Sequence, residues 1–140
     1  MGGTILPAPL TMSGGMSAPD KSPLHERHCV ACKPGSPHLT GAEIEPLLSQ
    51  LHGWSVEEAD GHLRLSKVFK VKGFMPAVDI VNRIAPIAEA EKHHPDLLVS
   101  WGSVTVQLWT HAAGGLTEND FILAAKLDKA LEAVPTQGST

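Results

Sequence analysis

Cysteine, basic charge and long apolar runs are all scarce in this chain, and each shortage removes a class of protein. The two cysteines, Cys29 and Cys32, are too few for the multi-bridge framework that stabilises small secreted domains. Lysine and arginine total 11 against 15 acidic residues, for a net charge of -4. No basic surface is therefore available to wrap a phosphate backbone, and no nucleic-acid partner is expected. No positive charge precedes Lys21, and prolines interrupt the apolar run from Ile5 to Leu10, which is not how a secretory signal is built. The uncharged stretch from Leu97 to Thr117 is long enough to span a bilayer, but Ser100, Ser103, Thr105, Gln107, Thr110 and His111 alternate through it. That is the pattern of a half-buried strand, so no membrane partner is expected and the expected location is cytoplasmic.

What is present amounts to one domain. The 140 residues, 42% hydrophobic, can bury one modest core. Residues 1–38 read as a flexible extension rich in Gly, Pro and Ser, with a CxxC near its end and too little apolar periodicity to offset the entropy of ordering. Met12 and Met16 are alternative starts. The domain is expected over 39–134, with a short tail at 135–140.

Thr40-Gly41-Ala42-Glu43 has capping-box spacing ahead of Ile44, Leu47, Leu48 and Leu51, and Gly53 stops that helix. Trp54 and Val56, then Leu63, Leu65, Phe69 and Val71, alternate on either side of Asp60-Gly61, which predicts a hairpin. Lys67 falls on the apolar parity and must either snorkel or mark a bulge. From Phe74 to Lys92, the residues Ala77, Val78, Val81, Ile84, Ala85 and Ala88 follow helical spacing. Pro86 predicts a kink near Asn82 to Ala85, and Pro95 predicts that the helix ends at His94. Leu97 to Thr110 reads as two strands or one bent strand, with Val104, Val106 and Leu108 buried.

A second capping box, Thr117-Glu118-Asn119-Asp120, opens a last helix striped by Leu123, Leu127, Ala130, Leu131 and Val134. The order α-ββ-α-ββ-α predicts an α+β fold: a single antiparallel four-stranded sheet with helices packed on one face. Phe121 and Ile122 add apolar surface beyond the last stripe. With an open sheet edge, that predicts a homo-oligomer. Trp101 and Trp109 are expected to pack.

The chemistry lies in the histidines. His93 and His94 precede Pro95, so they occupy an irregular corner and their rings should diverge. Glu89 would share a face with His93 and orient it if the helix persists that far. His111 follows the outward parity of Ser103, Thr105 and Gln107 and should be accessible. Plainer readings stand beside these: a solvated helix cap for the His pair, and the N3 acid of the capping box for Asp120. Three histidines could also hold a catalytic zinc, but adjacent histidines seldom ligate one ion together and no general-base motif accompanies them. Cys29 and Cys32, with His25, His28 and His38 nearby, have the donor types for a structural zinc or a redox pair. A single CxxC outside a βαβ unit reads first as two reduced thiols.

Taken together, Glu89-Ala90-Glu91-Lys92-His93-His94-Pro95, then Trp101, then Thr110-His111, then Gly115-Leu116-Thr117-Glu118-Asn119-Asp120 resemble the pterin-4a-carbinolamine dehydratases, also known as dimerisation cofactors of a homeodomain transcription factor. The resemblance covers roughly Leu39 to Leu131. It implies the same α+β fold and the dehydration of 4a-hydroxytetrahydrobiopterin to quinonoid dihydrobiopterin, in support of tetrahydrobiopterin recycling, with no cofactor and no metal. By the same resemblance His93 and His111 are the acid/base pair, Glu89 is the orienting carboxylate, and His94 and Asp120 bind the pterin. The implied partners are the pterin itself, further copies in a homodimer or homotetramer, and an aromatic amino acid hydroxylase of the same pathway. The alternative is a non-catalytic oligomerisation or adaptor protein, or a transcriptional coactivator, of the same fold. Pro86 and the cysteine-bearing extension depart from the family pattern.

Overall fold

The computed structural model describes residues 22–31, 33–132 and 134. Residues 1–21 of the extension expected over 1–38, the tail expected at 135–140, and the second cysteine, Cys32, lie outside the described residues. The elements are α1 (Gly41–Leu48), β1 (Ser55–Ala59), β2 (His62–Lys70), α2 (Phe74–Glu91), β3 (Asp96–Ser100), β4 (Ser103–Leu108) and α3 (Glu118–Leu131). Short 3-10 turns stand at Leu24–Glu26 and His111–Ala113. The strands form one antiparallel sheet in the order β1-β2-β4-β3.

Local chemistry accounts for most of this. Asp60 (φ 55°) and Gly61 (φ 83°) are both left-handed, as a two-residue type I′ connection requires, and the register closes on Ala59 opposite His62. Lys67 sits opposite Val106 in an unbroken ladder, so it marks no bulge. Its ammonium instead lies 2.8 Å from the His52 carbonyl and 2.8 Å from Asp128, and 4.7 Å from the centre of the Phe69 ring. The stem packs and the head is paired.

Leu65 and Phe69 of β2, with Val104, Val106 and Leu108 of β4, join α2 and α3 in one buried cluster. The buried stripe of α2 is Ala77, Ile80, Ile84 and Ala88. Ile80 thus belongs to the core, whereas Ala85 is exposed. The helix is continuous through Pro86, which lies on its exposed side, where the carbonyl left without a donor can meet water.

Part of the extension expected to be flexible is docked: Leu24, only 3% exposed, joins the core and its 3-10 turn packs on α3. Two further expectations change. Phe121 and Ile122 are buried within the chain itself, so they do not supply a surplus apolar face for self-association. Trp101 is 75% exposed in the β3–β4 turn and packs on no core. Among the described residues, no helix is long and apolar enough to cross a membrane.

Candidate active site

The site begins where α2 stops. Lys92 takes a left-handed conformation (φ 56°), its N–H donates to the Glu89 carbonyl (3.2 Å), and the His93 N–H donates to the Ala88 carbonyl (3.2 Å). This is the paired closure of a Schellman motif, here with lysine in the place glycine usually takes. The helix therefore ends before His93 rather than at His94, and His93 leaves the helical face that Glu89 occupies. Glu89 Oε1 lies 2.9 Å from His94 Nε2, both side chains exposed, a contact worth little to stability. The carboxylate that meets His93 is Asp120, whose Oδ1 is 2.6 Å from His93 Nε2.

Asp120 is fully buried (0% exposed), and a buried charge must be paired and hydrogen-bonded. Its Oδ2 accepts from the Thr117 N–H (2.9 Å) and from the Thr110 hydroxyl (2.9 Å). Thr110 Oγ1 is also 2.8 Å from Thr117 Oγ1. Because Thr110 gives its proton to Asp120, Thr117 donates to Thr110. The capping-box acid of α3 is thus also the partner of His93, and the two readings of Asp120 coincide. It stands behind His93 and does not line the cavity, contrary to the expectation that it meets the ligand. With Nε2–H given to Asp120, the ring's lone pair is on Nδ1, and His93 is one of the residues lining the cavity.

His111 stands on the 3-10 turn enclosed by the Thr110–Gly115 bridge, and Gly114 (φ 67°) lets that turn close. Its ring lies 3.8 Å from the Trp109 ring, tilted by 30°, and His62 stacks on Trp109 at 3.5 Å and 19°. Two rings that close and that nearly parallel to one indole would collide on the same side, so they occupy opposite faces. Trp109 therefore packs, as expected, but between two imidazoles.

His93, His94, His111, Trp109, Asn119 and Val30 are among the residues around a cavity of about 380 Å³, within the range of roughly 300–1,000 Å³ usual for small-molecule sites. A groove of about 410 Å³ between α2 and α3, lined by Pro86, Ile87 and Ala130 among others, is larger but brings no histidine pair together. Among the described residues, His93, His94 and His111 do not assemble into a metal-ligand set.

Sequence reasoning missed Thr110, the double stack on Trp109, and the contribution of Val30 and Asn119. Thr110 left a signal, since it continues the buried parity of Val104, Val106 and Leu108, and a core threonine needs a partner for its hydroxyl.

Cys29 is half-buried, with Sγ 3.5 Å from the Asn119 carbonyl. Burial, aided by the charges of Glu91 and Asp120, pushes its thiol up to about 12. It is therefore a poor nucleophile and a poor metal ligand near neutrality. In a Cys32→Ser background, iodoacetamide should alkylate Cys29 roughly 10²- to 10³-fold more slowly than free cysteine at pH 7.5. A rate within tenfold of free cysteine would show that the thiol is open to solvent.

Residues 37–130 match the family described as pterin 4 alpha carbinolamine dehydratase. The fold is similar to the crystal structure of a transcriptional coactivator/pterin dehydratase from Brucella melitensis. The identity is 33% and the TM-score 0.60, over 66% of this chain and 97% of that one.

Proposed function

The chain belongs to the pterin 4 alpha carbinolamine dehydratase family, and from that premise we propose that it dehydrates 4a-hydroxytetrahydrobiopterin to quinonoid dihydrobiopterin by histidine acid/base catalysis, in support of tetrahydrobiopterin recycling. The observation that carries this reading is the buried Asp120–His93 pair set beside the same cavity as His111. Water leaves C4a as its C–O bond breaks and the oxygen takes up a proton, while N5 loses a proton and the C4a–N5 double bond forms. One acid and one base suffice. His93 is the base at N5, because Asp120 fixes its Nε2–H and so leaves a lone pair on Nδ1, and it stabilises the imidazolium once formed. His111 protonates the departing hydroxyl. An imidazole can give or take a proton through either ring nitrogen, so both roles are open to histidine without a metal. His94, oriented by Glu89 at the cavity rim, holds the pterin, which makes Glu89 a positioning residue and Asp120 the orienter of the base.

The test is stopped-flow dehydration of chemically generated 4a-hydroxytetrahydropterin in the presence of a chelator. Acceleration over buffer that survives chelation supports the reading. A rate equal to buffer with folded protein would leave the non-catalytic adaptor or coactivator role, the other half of the description of the Brucella melitensis protein. Self-association as a homodimer or homotetramer belongs to the same proposal and is supported by the two sheet edges, β1 and β3. Sedimentation at micromolar concentration should give a species heavier than 14.8 kDa, and a lone monomer would overturn it.

A further inference from the structure

The cavity is completed by residues outside the family match. Val30 and Ala31 line it, whereas the match begins at residue 37. Both sit at the end of a segment that runs from the Leu24–Glu26 turn without regular structure. Such a segment holds its place only if its backbone polar groups find partners. Here they do. The Cys29 N–H donates to Glu91 Oε1 (2.8 Å), and His28 Nδ1 lies 2.9 Å from Glu91 Oε2. The Asn119 side chain takes both polar groups of Val30, accepting from its N–H (3.0 Å) and donating to its carbonyl (2.6 Å), as a neighbouring strand would. Further back, Leu24 is buried in the core, Lys126 Nζ donates to the His25 carbonyl (3.0 Å), and Arg27 pairs with Glu118 at 2.8 Å.

Two helix ends hold this segment, and the same two ends carry the proposed chemistry. Glu91 is the last residue of α2, just ahead of His93, and Asn119 is the neighbour of Asp120 in the first turn of α3. The Glu91 side chain is only 9% exposed. Burial alone would raise its carboxyl, but the Cys29 N–H, His28 and Lys126 outweigh burial and hold it below the usual range. The anchor is therefore charged at neutral pH. Val30, by contrast, leaves its apolar side chain 71% exposed at the cavity, although its backbone is fixed on both sides. A planar heterocycle entering the cavity would cover it.

We propose that Leu24–Ala31 is a strap forming one wall of the pterin cavity, and that Glu91 is the positioning residue that seats it. The proposal rests on the pterin-dehydratase reading and adds a determinant of substrate binding. The strap touches neither proton-transfer histidine by any of these bonds, so unseating it should weaken binding and spare the chemical step. Glu91 does not line the cavity, so its replacement acts through the strap.

The test uses the full chain and measures kcat and KM for dehydration alongside the Kd of a non-reacting 7,8-dihydropterin. In Glu91→Ala, KM and Kd should rise about tenfold, the size expected for losing a hydrogen bond to a charged group, with kcat within about threefold of wild type. Glu91→Gln should recover most of the binding, because its amide oxygen still accepts from the Cys29 N–H. Val30→Ser, a change at an exposed side chain that puts no fold at risk, should raise KM by roughly threefold. Hydrogen exchange at the Cys29 and Val30 amides should accelerate in Glu91→Ala. Accelerated exchange with unchanged KM would overturn the strap, as would a fall in kcat at constant KM. If Glu91→Ala fails to fold, an unchanged KM in Val30→Ser overturns it instead. Wild-type protein that neither binds nor dehydrates a pterin ends both readings, whereas an active wild type with insensitive variants ends this one alone.

Discussion

Replacing either His93 or His111 with alanine should slow the dehydration by about 10²- to 10⁴-fold, the usual worth of a positioned acid or base. The two substitutions differ in what else they disturb. His111 is exposed, and its main contact is the face of Trp109, so His111→Ala should leave stability within about 1 kcal/mol of wild type. His93→Ala removes one of three hydrogen bonds to a buried carboxylate and should cost about 1.5–3 kcal/mol. Single-turnover rates must therefore be compared well below both melting transitions, with circular dichroism confirming the fold. If the two histidines are the acid and the base of one step, the double variant should lose far less than the product of the single losses, because either loss alone already disables concerted proton transfer. His111→Ala within threefold of the wild-type rate would remove it from the chemistry.

The sequence disclosed what is decided locally. Asp60-Gly61 is legible because few residues other than glycine and a short polar neighbour take left-handed geometry together. Thr40 to Glu43 and Thr117 to Asp120 are legible because a capping box is complete within one helical turn. The alternation through β4 exposes its buried face for the same reason. What stayed hidden is settled at long range or by a single backbone angle. Glu89 lies at the right spacing for His93, and only the left-handed turn at Lys92, a residue with no special preference for it, sends His93 to Asp120 instead. The docking of residues 24–31 was equally invisible, since Leu24 is an isolated apolar residue in a Gly- and Pro-rich region and its partners lie in α3. Arg27 and Glu118 are 91 positions apart. Periodicity cannot report such a pairing, because the segment has no period.

The sharpest discrimination between a structural cap and a working carboxylate comes from Asp120→Asn, which should fold and yet lose about 10²- to 10⁴-fold in turnover. An asparagine has the same shape, and its amide oxygen can replace only one of the two carboxylate oxygens. Placed at Oδ2, it keeps two donors satisfied, the Thr117 N–H and the Thr110 hydroxyl. Placed at Oδ1, it keeps only His93. The first orientation is favoured, and it aims the amide N–H at His93 Nε2. Two donors cannot face each other at 2.6 Å, so the imidazole must present a lone pair there and carry its proton on Nδ1. The nitrogen left for the cavity then donates where the reaction needs an acceptor, and the base is lost although the ring has not moved. Stability should fall by about 1.5–3 kcal/mol, from the weakened charge-assisted hydrogen bonds. Asp120→Ala is a poorer test, because it strands the Thr117 N–H and the Thr110 hydroxyl in a fully buried place and would cost about 3–5 kcal/mol. Nitrogen-15 chemical shifts of His93 should report the exchange of tautomers in Asp120→Asn, and stopped-flow should report the lost rate. If the tautomer switches while turnover holds at the wild-type level, His93 is not the base. If neither changes, Asp120 serves only to cap its helix.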